Sequence, residues 1–241
     1  MTRDMHDPRR ILNCPALLNA RDLGGYPTAD GATTRWRSLL RADDPVQLTS
    51  AGLQALRDFG LETVIDLRWP EEVAASPNPL PPHFRFRHIS LLTHSALAWG
   101  RLSGEQLKED WKCAVLTHVR PQLREVLQAV AAAPPGPLLF HCVAGKDRTG
   151  VIAALLLALA DATPEAIAYD YAASSQHLHD AYLVRYASRD RADILEALRC
   201  PPEGAHRMLD YLARGGGIRA YLTDIGLSAR DIDQLRARLR D

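Results

Sequence analysis

Lysine is nearly missing from this chain. Lys108, Lys112 and Lys146 are its three lysines among 241 residues, against 26 arginines. Excess charge is missing too. Acidic and basic residues balance at 29 each, which excludes the basic surplus needed to hold nucleic acid or an anionic membrane as a bulk partner. Cys14, Cys113, Cys142 and Cys200 show neither disulfide nor metal spacing, as expected of a reducing, cytoplasmic compartment. Residues 1–10 are charged and lack an apolar stretch, so no signal peptide is evident. The longest apolar run, residues 151–160, is too short to span a bilayer, so no stable membrane insertion is expected and the run reads as a core helix. No internal repeat is evident. What remains is 46% hydrophobic, ample for one α/β core.

Ten residues stand out, His-Cys-Val-Ala-Gly-Lys-Asp-Arg-Thr-Gly, from His141 to Gly150. A short apolar run precedes them and the ten-residue apolar run follows. That context reads as strand, tight loop, buried helix. A loop of this size curls so that backbone N–H groups point inward, and the helix start adds its own unpaired donors. Val143, Ala144, Gly145, Lys146, Asp147 and Arg148 would line a socket for a dianion, with the Cys142 thiol at its floor. A cysteine thiol with an ordinary pKa of ~8.5 is a weak nucleophile at neutral pH, but a helix N-terminus and nearby cations favour the thiolate. Arg148 suits bidentate contact with two phosphoryl oxygens. Thr149 offers a hydroxyl to the sulfur. His141 is assigned a supporting role, orienting the loop by bonds to backbone. An inert buried cysteine would leave the cations of the first helical turn unexplained. A nucleotide-binding loop is rejected because Phe140 stands at its first glycine and Asp147 at its hydroxyl position. Gly145 at the second cysteine position rejects a Cys-x-x-Cys redox site.

The rest of the chain alternates strands with helices, which predicts a mostly parallel central sheet flanked by helices, with ligand at the carboxyl ends of the strands. Strands are expected over residues 16–19, 36–41, 62–67 and 84–91. Helices are expected over 51–59, 105–133 with a bend at Pro121, and from a cap at Thr163 through 173. Residues 175–202 are ambiguous and are kept as a candidate lid. Residues 205–241 read as a small helical appendage, so that residues 1–241 form one domain.

With these residues on the page, the chain resembles the bacterial and fungal branch of the cysteine-dependent protein tyrosine phosphatases, the atypical dual-specificity group with His-Cys-x-x-Gly-Lys-Asp-Arg-Thr-Gly. Three further segments match: Asn19-Ala20-Arg21-Asp22-Leu23-Gly24-Gly25-Tyr26, Val64-Ile65-Asp66-Leu67-Arg68, and Gly217-Ile218-Arg219-Ala220-Tyr221-Leu222 with Gly226-Leu227-Ser228. The resemblance implies the parallel-sheet fold, metal-free phosphomonoester hydrolysis without a cofactor, and a phosphocysteine intermediate. The larger tyrosine phosphatase family carries its general acid in Trp-Pro-Asp. Here Trp69-Pro70 is followed by Glu71.

The acid is therefore sought elsewhere. Asp147, at the mouth of the loop, is the first choice, and myotubularin phosphoinositide phosphatases place an aspartate similarly. Asp66, ending a buried strand, is the alternative, set against an ion pair with Arg68 or Arg21. Arg21 and Asp22 are supporting candidates, either walling the pocket or holding a turn. His177 and His179 lack a third ligand, so no metal is expected. Three functions follow: a tyrosine phosphatase, with dual specificity open, acting on a phosphotyrosine-containing protein; a phosphoinositide phosphatase, suggested by Lys146; and, remotely, a phosphate-binding module without turnover.

Overall fold

The computed structural model describes residues 5–92 and 104–240. Residues 1–4, part of the N-terminal stretch inspected for a signal, lie outside them. Among the described residues five strands form one sheet: β1 (Arg21–Asp22), β2 (Leu39–Ala42), β3 (Thr63–Asp66), β4 (Arg85–His88) and β5 (Leu138–His141). Their order is β1-β2-β5-β3-β4, with β1 antiparallel to β2 and every other pair parallel. The α/β, mostly parallel sheet read from the sequence is what the chain forms. Helices α1 (Ser50–Phe59) and α2 (Pro70–Ala75) lie in its first half. They are followed by α3 (Gly104–His118), α4 (Arg120–Ala132), α5 (Asp147–Leu159), α6 (Pro164–Arg185), α7 (Arg191–Leu198), α8 (Glu203–Arg214), α9 (Ile218–Asp224) and α10 (Ala229–Leu239).

Both faces of the central strands are covered. Leu39, Ile65, Leu138 and Phe140 join one core with α4, α5 and α6, while Leu40, Val64 and Leu139 join another with Leu56 of α1. Successive strand residues point to opposite faces, so strands buried on both sides read as unbroken apolar runs. β4 is the edge, and its Arg85, Phe86, Arg87 and His88 are all exposed. Its charges discourage pairing with another strand.

Local chemistry sets the ends. Thr49 caps α1 by accepting from Gly52 N at 3.1 Å, and Gly60 closes it in the left-handed region at φ 84°. Ser228 and Asp231 form the capping box of α10. α5 is buried along nearly its whole length, as an all-apolar helix must be.

Five expectations shift. Residues 16–19 are no strand, because Ala16 sits at φ 72°. The second strand starts at Leu39 rather than residue 36, because Arg37 sits at φ 58°. The expected bend at Pro121 is a full break at Val119 between α3 and α4, with Pro121 in the first turn of α4, where its missing N–H costs nothing. Most of residues 175–202 is helical, since α6 runs on to Arg185 and α7 spans Arg191–Leu198. Nor are residues 205–241 an appendage. Leu212, Tyr221, Leu222, Ile232, Leu235 and Leu239 belong to the same core as the sheet. Among the described residues no helix is long and apolar enough to cross a membrane.

Candidate active site

The three parallel strands β2, β5 and β3 end side by side at Ala42, His141 and Asp66. The chain leaves β5 into Cys142, which is 2% exposed, and turns through residues 143–146 into α5 at Asp147. This is the strand, loop and buried helix expected for the ten-residue segment.

The loop is held from behind by its carbonyl groups. Val143 O accepts from Asp44 N at 3.0 Å, and Ala144 O from Asn19 Nδ2 at 2.9 Å. Gly145 O and Lys146 O accept from Arg41 Nη2 at 2.7 and 3.3 Å. In a trans peptide the N–H points opposite to the C=O. Anchoring the carbonyls outward therefore turns the following N–H groups inward, toward the space above Cys142. Gly145 is required by this closeness. At φ 63°, a Cβ there would sit 2.2 Å from Ala42 O and 2.6 Å from Asp43 N.

Arg148 stands in the first turn of α5 and is gripped by Glu72 of α2. Its Nη1 donates to Glu72 Oε2 at 2.6 Å and its Nη2 to Oε1 at 2.9 Å. Trp69 lies 5.4 Å from the guanidinium, ring toward it, and its backbone N–H donates to Glu72 Oε2 at 2.7 Å. Burial pushes the Glu72 carboxyl up, but the Arg148 and Trp69 hydrogen bonds outweigh it and leave the group below its ordinary range. Thus Trp69-Pro70 does meet the loop, with a glutamate that the sequence reading passed over.

The two candidate acids occupy opposite environments. The Asp147 side chain is 41% exposed at the mouth of the loop, 3.4 Å from Lys146 Nζ. Asp66 is fully buried, and Arg68 grips it through Nε at 3.0 Å and Nη2 at 2.8 Å. Burial raises the Asp66 carboxyl, yet the Arg68 hydrogen bonds and His141 outweigh that and hold it below the usual carboxylate range. This is the Arg68 ion pair that competed with the acid role for Asp66.

The remaining candidates divide. His141 is buried, its Nδ1 lies 3.2 Å from Cys142 O, and burial lowers its pKa to about 4, so the ring is neutral. Thr149 Oγ1 is buried without a hydrogen-bond partner among the described residues. Lys146 Nζ donates to Ala197 O of α7 at 2.5 Å, which ties the loop to the segment expected as a lid. Ala144 packs against Leu178, Ile194 and Leu198 of that same segment. Arg21 and Asp22 do not wall the pocket and do not pair with each other. Arg21 binds Asn19 and Asp170 behind the loop. Asp22 accepts from Gly24 N at 2.9 Å and Arg37 N at 2.6 Å and so holds the turn, while burial raises its pKa to about 6.

Residues that sequence reasoning missed are Glu72, Arg41, Asn19 and Asp170. Glu72 left one trace, a position three residues after Trp69 where a glutamate can close a capping box. Asn19 opens the Asn19–Tyr26 segment, but nothing there showed that it reaches Ala144 O. Arg41 and Asp170 left no trace, since Arg41 reaches the loop from a distant strand and Asp170 acts through Arg41.

Comparison with known proteins agrees with this geometry. A model described as the tyrosine phosphatase family matches residues 12–241. A protein of Nostoc commune named tyrosine-protein phosphatase is 34% identical over 221 residues, covering 84% of this chain and 74% of the relative. A Mycobacterium tuberculosis protein named triple specificity protein phosphatase PtpB is 27% identical over 276 residues, covering 94% of this chain and 98% of the relative.

Proposed function

Because this chain belongs to the tyrosine phosphatase family, we infer that it hydrolyses phosphotyrosine through a phosphocysteine intermediate. The observation that carries this reading is the loop itself. Its carbonyls are anchored outward, a buried cysteine lies at its floor, and an arginine stands at its rim.

The Cys142 thiolate attacks phosphorus in line with the ester oxygen. The inward N–H groups and Arg148 take up the charge on the three equatorial oxygens. Glu72 occupies both terminal nitrogens of Arg148, which sets the plane of the guanidinium before substrate arrives. The P–O bond breaks as Asp147 gives its proton to the tyrosine oxygen. Water then attacks the phosphocysteine, with Asp147 taking back a proton and sulfur leaving as thiolate. Exposure supports Asp147 in this role over Asp66, which is buried and held by Arg68. The buried Thr149 hydroxyl, which has no other partner among the described residues, is suited to donate to the sulfur as it leaves. His141 supports the loop through the Cys142 carbonyl.

One observation favours phosphoinositide as a second substrate class. Lys146 and Lys112, two of the three lysines in the chain, both interact electrostatically with Asp147 at the mouth. Both are more than nine-tenths buried, so their charge would favour a substrate with further phosphate groups through space rather than by contact. Four cysteine thiols without disulfides fit a reducing, cytoplasmic setting. The deciding experiment measures kcat/KM on matched panels of phosphotyrosine and phosphoserine peptides and of phosphoinositides. The reading expects phosphotyrosine peptides to lead, and turnover confined to lipids would replace it with the second class.

A further inference from the structure

Behind the loop lies a buried charge set that the reaction above does not use. Arg21 of β1 and Arg41 of β2 converge on Asp170 of α6. Arg21 Nε donates to Asp170 Oδ1 at 2.9 Å, and its Nη2 donates to Asp170 O at 2.7 Å and to Ser174 Oγ at 3.0 Å. Arg41 Nη1 donates to Asp170 Oδ2, and its Nη2 lies 3.4 Å from Ser174 Oγ. None of the three charged residues is more than 2% exposed.

The charges do not cancel. Two guanidiniums face one carboxylate, whose pKa burial raises but the two arginines pull down to about 2. Of the other titratable groups packed around them, Asp43 accepts from Asn19 N at 2.9 Å and Asp22 interacts with Arg10 and Arg37, burial raising both carboxyls to about 6. The rest add no negative charge. Tyr26 donates its hydroxyl to Asp170 Oδ1 at 3.1 Å and is held neutral by burial. His177 of α6 is held neutral, its pKa lowered to about 4 by burial and the nearby arginines. Burial also raises Tyr171 and Cys200. Arg10 stacks over the Tyr26 ring at 3.9 Å and adds positive charge. Toward the loop, Lys146 and Asp147 offset one another at 3.4 Å. Buried positive charge is left in surplus.

A buried charge is costly unless an opposite charge completes its surroundings. Arg41 offers the route to one, because its Nη2 donates forward to Gly145 O and Lys146 O. Those bonds orient the next two N–H groups, of Lys146 and Asp147, toward the socket, and they polarise the peptides in the same sense.

We propose that Arg41 is a positioning residue whose surplus charge, passed through the Gly145 and Lys146 peptides, is completed when the loop holds an anion, the Cys142 thiolate or a bound oxyanion. The empty, protonated loop is then the less stable form, and the fold itself draws in the dianion. This inference rests on the phosphatase reading.

Tungstate, an oxyanion that is not turned over, tests it on the full chain. Thermal unfolding with and without tungstate is compared for wild type, Arg41→Gln, Arg41→Lys and Ser174→Ala, alongside the pH dependence of kcat/KM on p-nitrophenyl phosphate. Wild type and Ser174→Ala are expected to gain equally in Tm from tungstate, and Arg41→Gln to lose most of that gain. The acid limb of the Arg41→Gln profile is expected to move up by about half a pH unit or more, as befits loss of a nearby cation. Ser174→Ala, which loosens the same network without changing its charge, is expected to leave that limb in place. Arg41→Lys keeps the charge but not the fork, so it should retain the tungstate gain while kcat falls about tenfold through misorientation. An Arg41→Gln protein with the full tungstate gain and an unmoved acid limb overturns the proposal. So does a Ser174→Ala protein that mimics it, since the effect would then be general loosening. Should Arg41→Gln not fold, Arg41→Lys decides: unchanged kcat, or loss of the tungstate gain, overturns the proposal. Wild type that neither gains from tungstate nor hydrolyses p-nitrophenyl phosphate refutes the phosphatase reading, and this inference falls with it.

Discussion

Glu72 Oε2 lies 2.6 Å from Arg148 Nη1, and its Oε1 lies 2.9 Å from Nη2, a two-bond grip across 76 residues of sequence. The same carboxylate accepts the Trp69 N–H. One side chain therefore starts α2 and fixes the guanidinium at the rim of the loop. Glu72→Gln keeps the shape but turns an NH2 group against a guanidinium donor. Steady-state kinetics on p-nitrophenyl phosphate are expected to show kcat/KM reduced ~10–10²-fold, mostly in kcat, as for a misplaced catalytic group. A change confined to KM would show that Glu72 serves binding alone.

The nucleophile is tested by Cys142→Ser. Turnover is expected to vanish while tungstate still raises Tm, because the N–H groups of the loop remain. Vanadate is expected to inhibit the wild type and EDTA to leave it unaffected. Activity lost on chelation and restored by metal would contradict the thiolate mechanism.

Arg148→Lys retains the charge and loses the fork. A fall in kcat of at least ~10²-fold is expected, the scale for removing one oriented group that stabilises developing charge. Glu72 would then exchange its two-bond grip for one ammonium contact beside the Trp69 N–H, so the Lys variant is also expected to unfold at lower temperature.

Asp147 must be protonated while Cys142 is ionised, which gives a bell-shaped profile. Asp147→Asn is expected to flatten the alkaline limb and to cost more on a phosphotyrosine peptide than on p-nitrophenyl phosphate, whose leaving group needs little help. Asp66→Asn is expected to lower Tm, since it breaks the Arg68 pair, without that leaving-group dependence. The reverse pattern would move the acid to the strand end.

His141 gives the protein an acid-side weakness. Burial holds its folded pKa near 4, below the ordinary value of 6.5, so folding favours the neutral ring. Its contribution is complete above pH 6.5 and is lost as pH falls toward 4, by on the order of 3 kcal/mol over the window. Urea unfolding at pH 7 and pH 4.5 should show a larger loss for wild type than for His141→Asn. His177 titrates over the same window in both proteins, so the difference between them reports His141. Equal losses would mean the imidazole does not titrate on unfolding.

The chemistry of the loop was legible because it is contiguous. Cys142, Arg148, the exposed Asp147 and the required Gly145 all fall within ten residues, and the apolar runs on either side announce strand and buried helix. Helix ends at Thr49, Gly60 and Ser228 were legible for the same reason, since caps are made by neighbours in sequence. Where reading failed locally, an unusual backbone was responsible. Positive φ at Ala16 and Arg37 interrupts segments whose side chains alone suggest strands.

The support for the loop could be decided only by the tertiary structure. Glu72 and Arg148 are 76 residues apart, Arg41 and Gly145 are 104 apart, and Arg21 and Asp170 are 149 apart. Nothing in periodicity or spacing joins such pairs. They meet because the strand order β1-β2-β5-β3-β4 sets β5 between two strands from the first third of the chain. The strand ends then bring Arg41 behind the loop and, through the turn after β3, Glu72 in front of it. One contiguous segment of sequence carries the atoms proposed to react. The order of the strands decided which charges hold those atoms in place, because an ion pair depends on distance in space and not on distance along the chain.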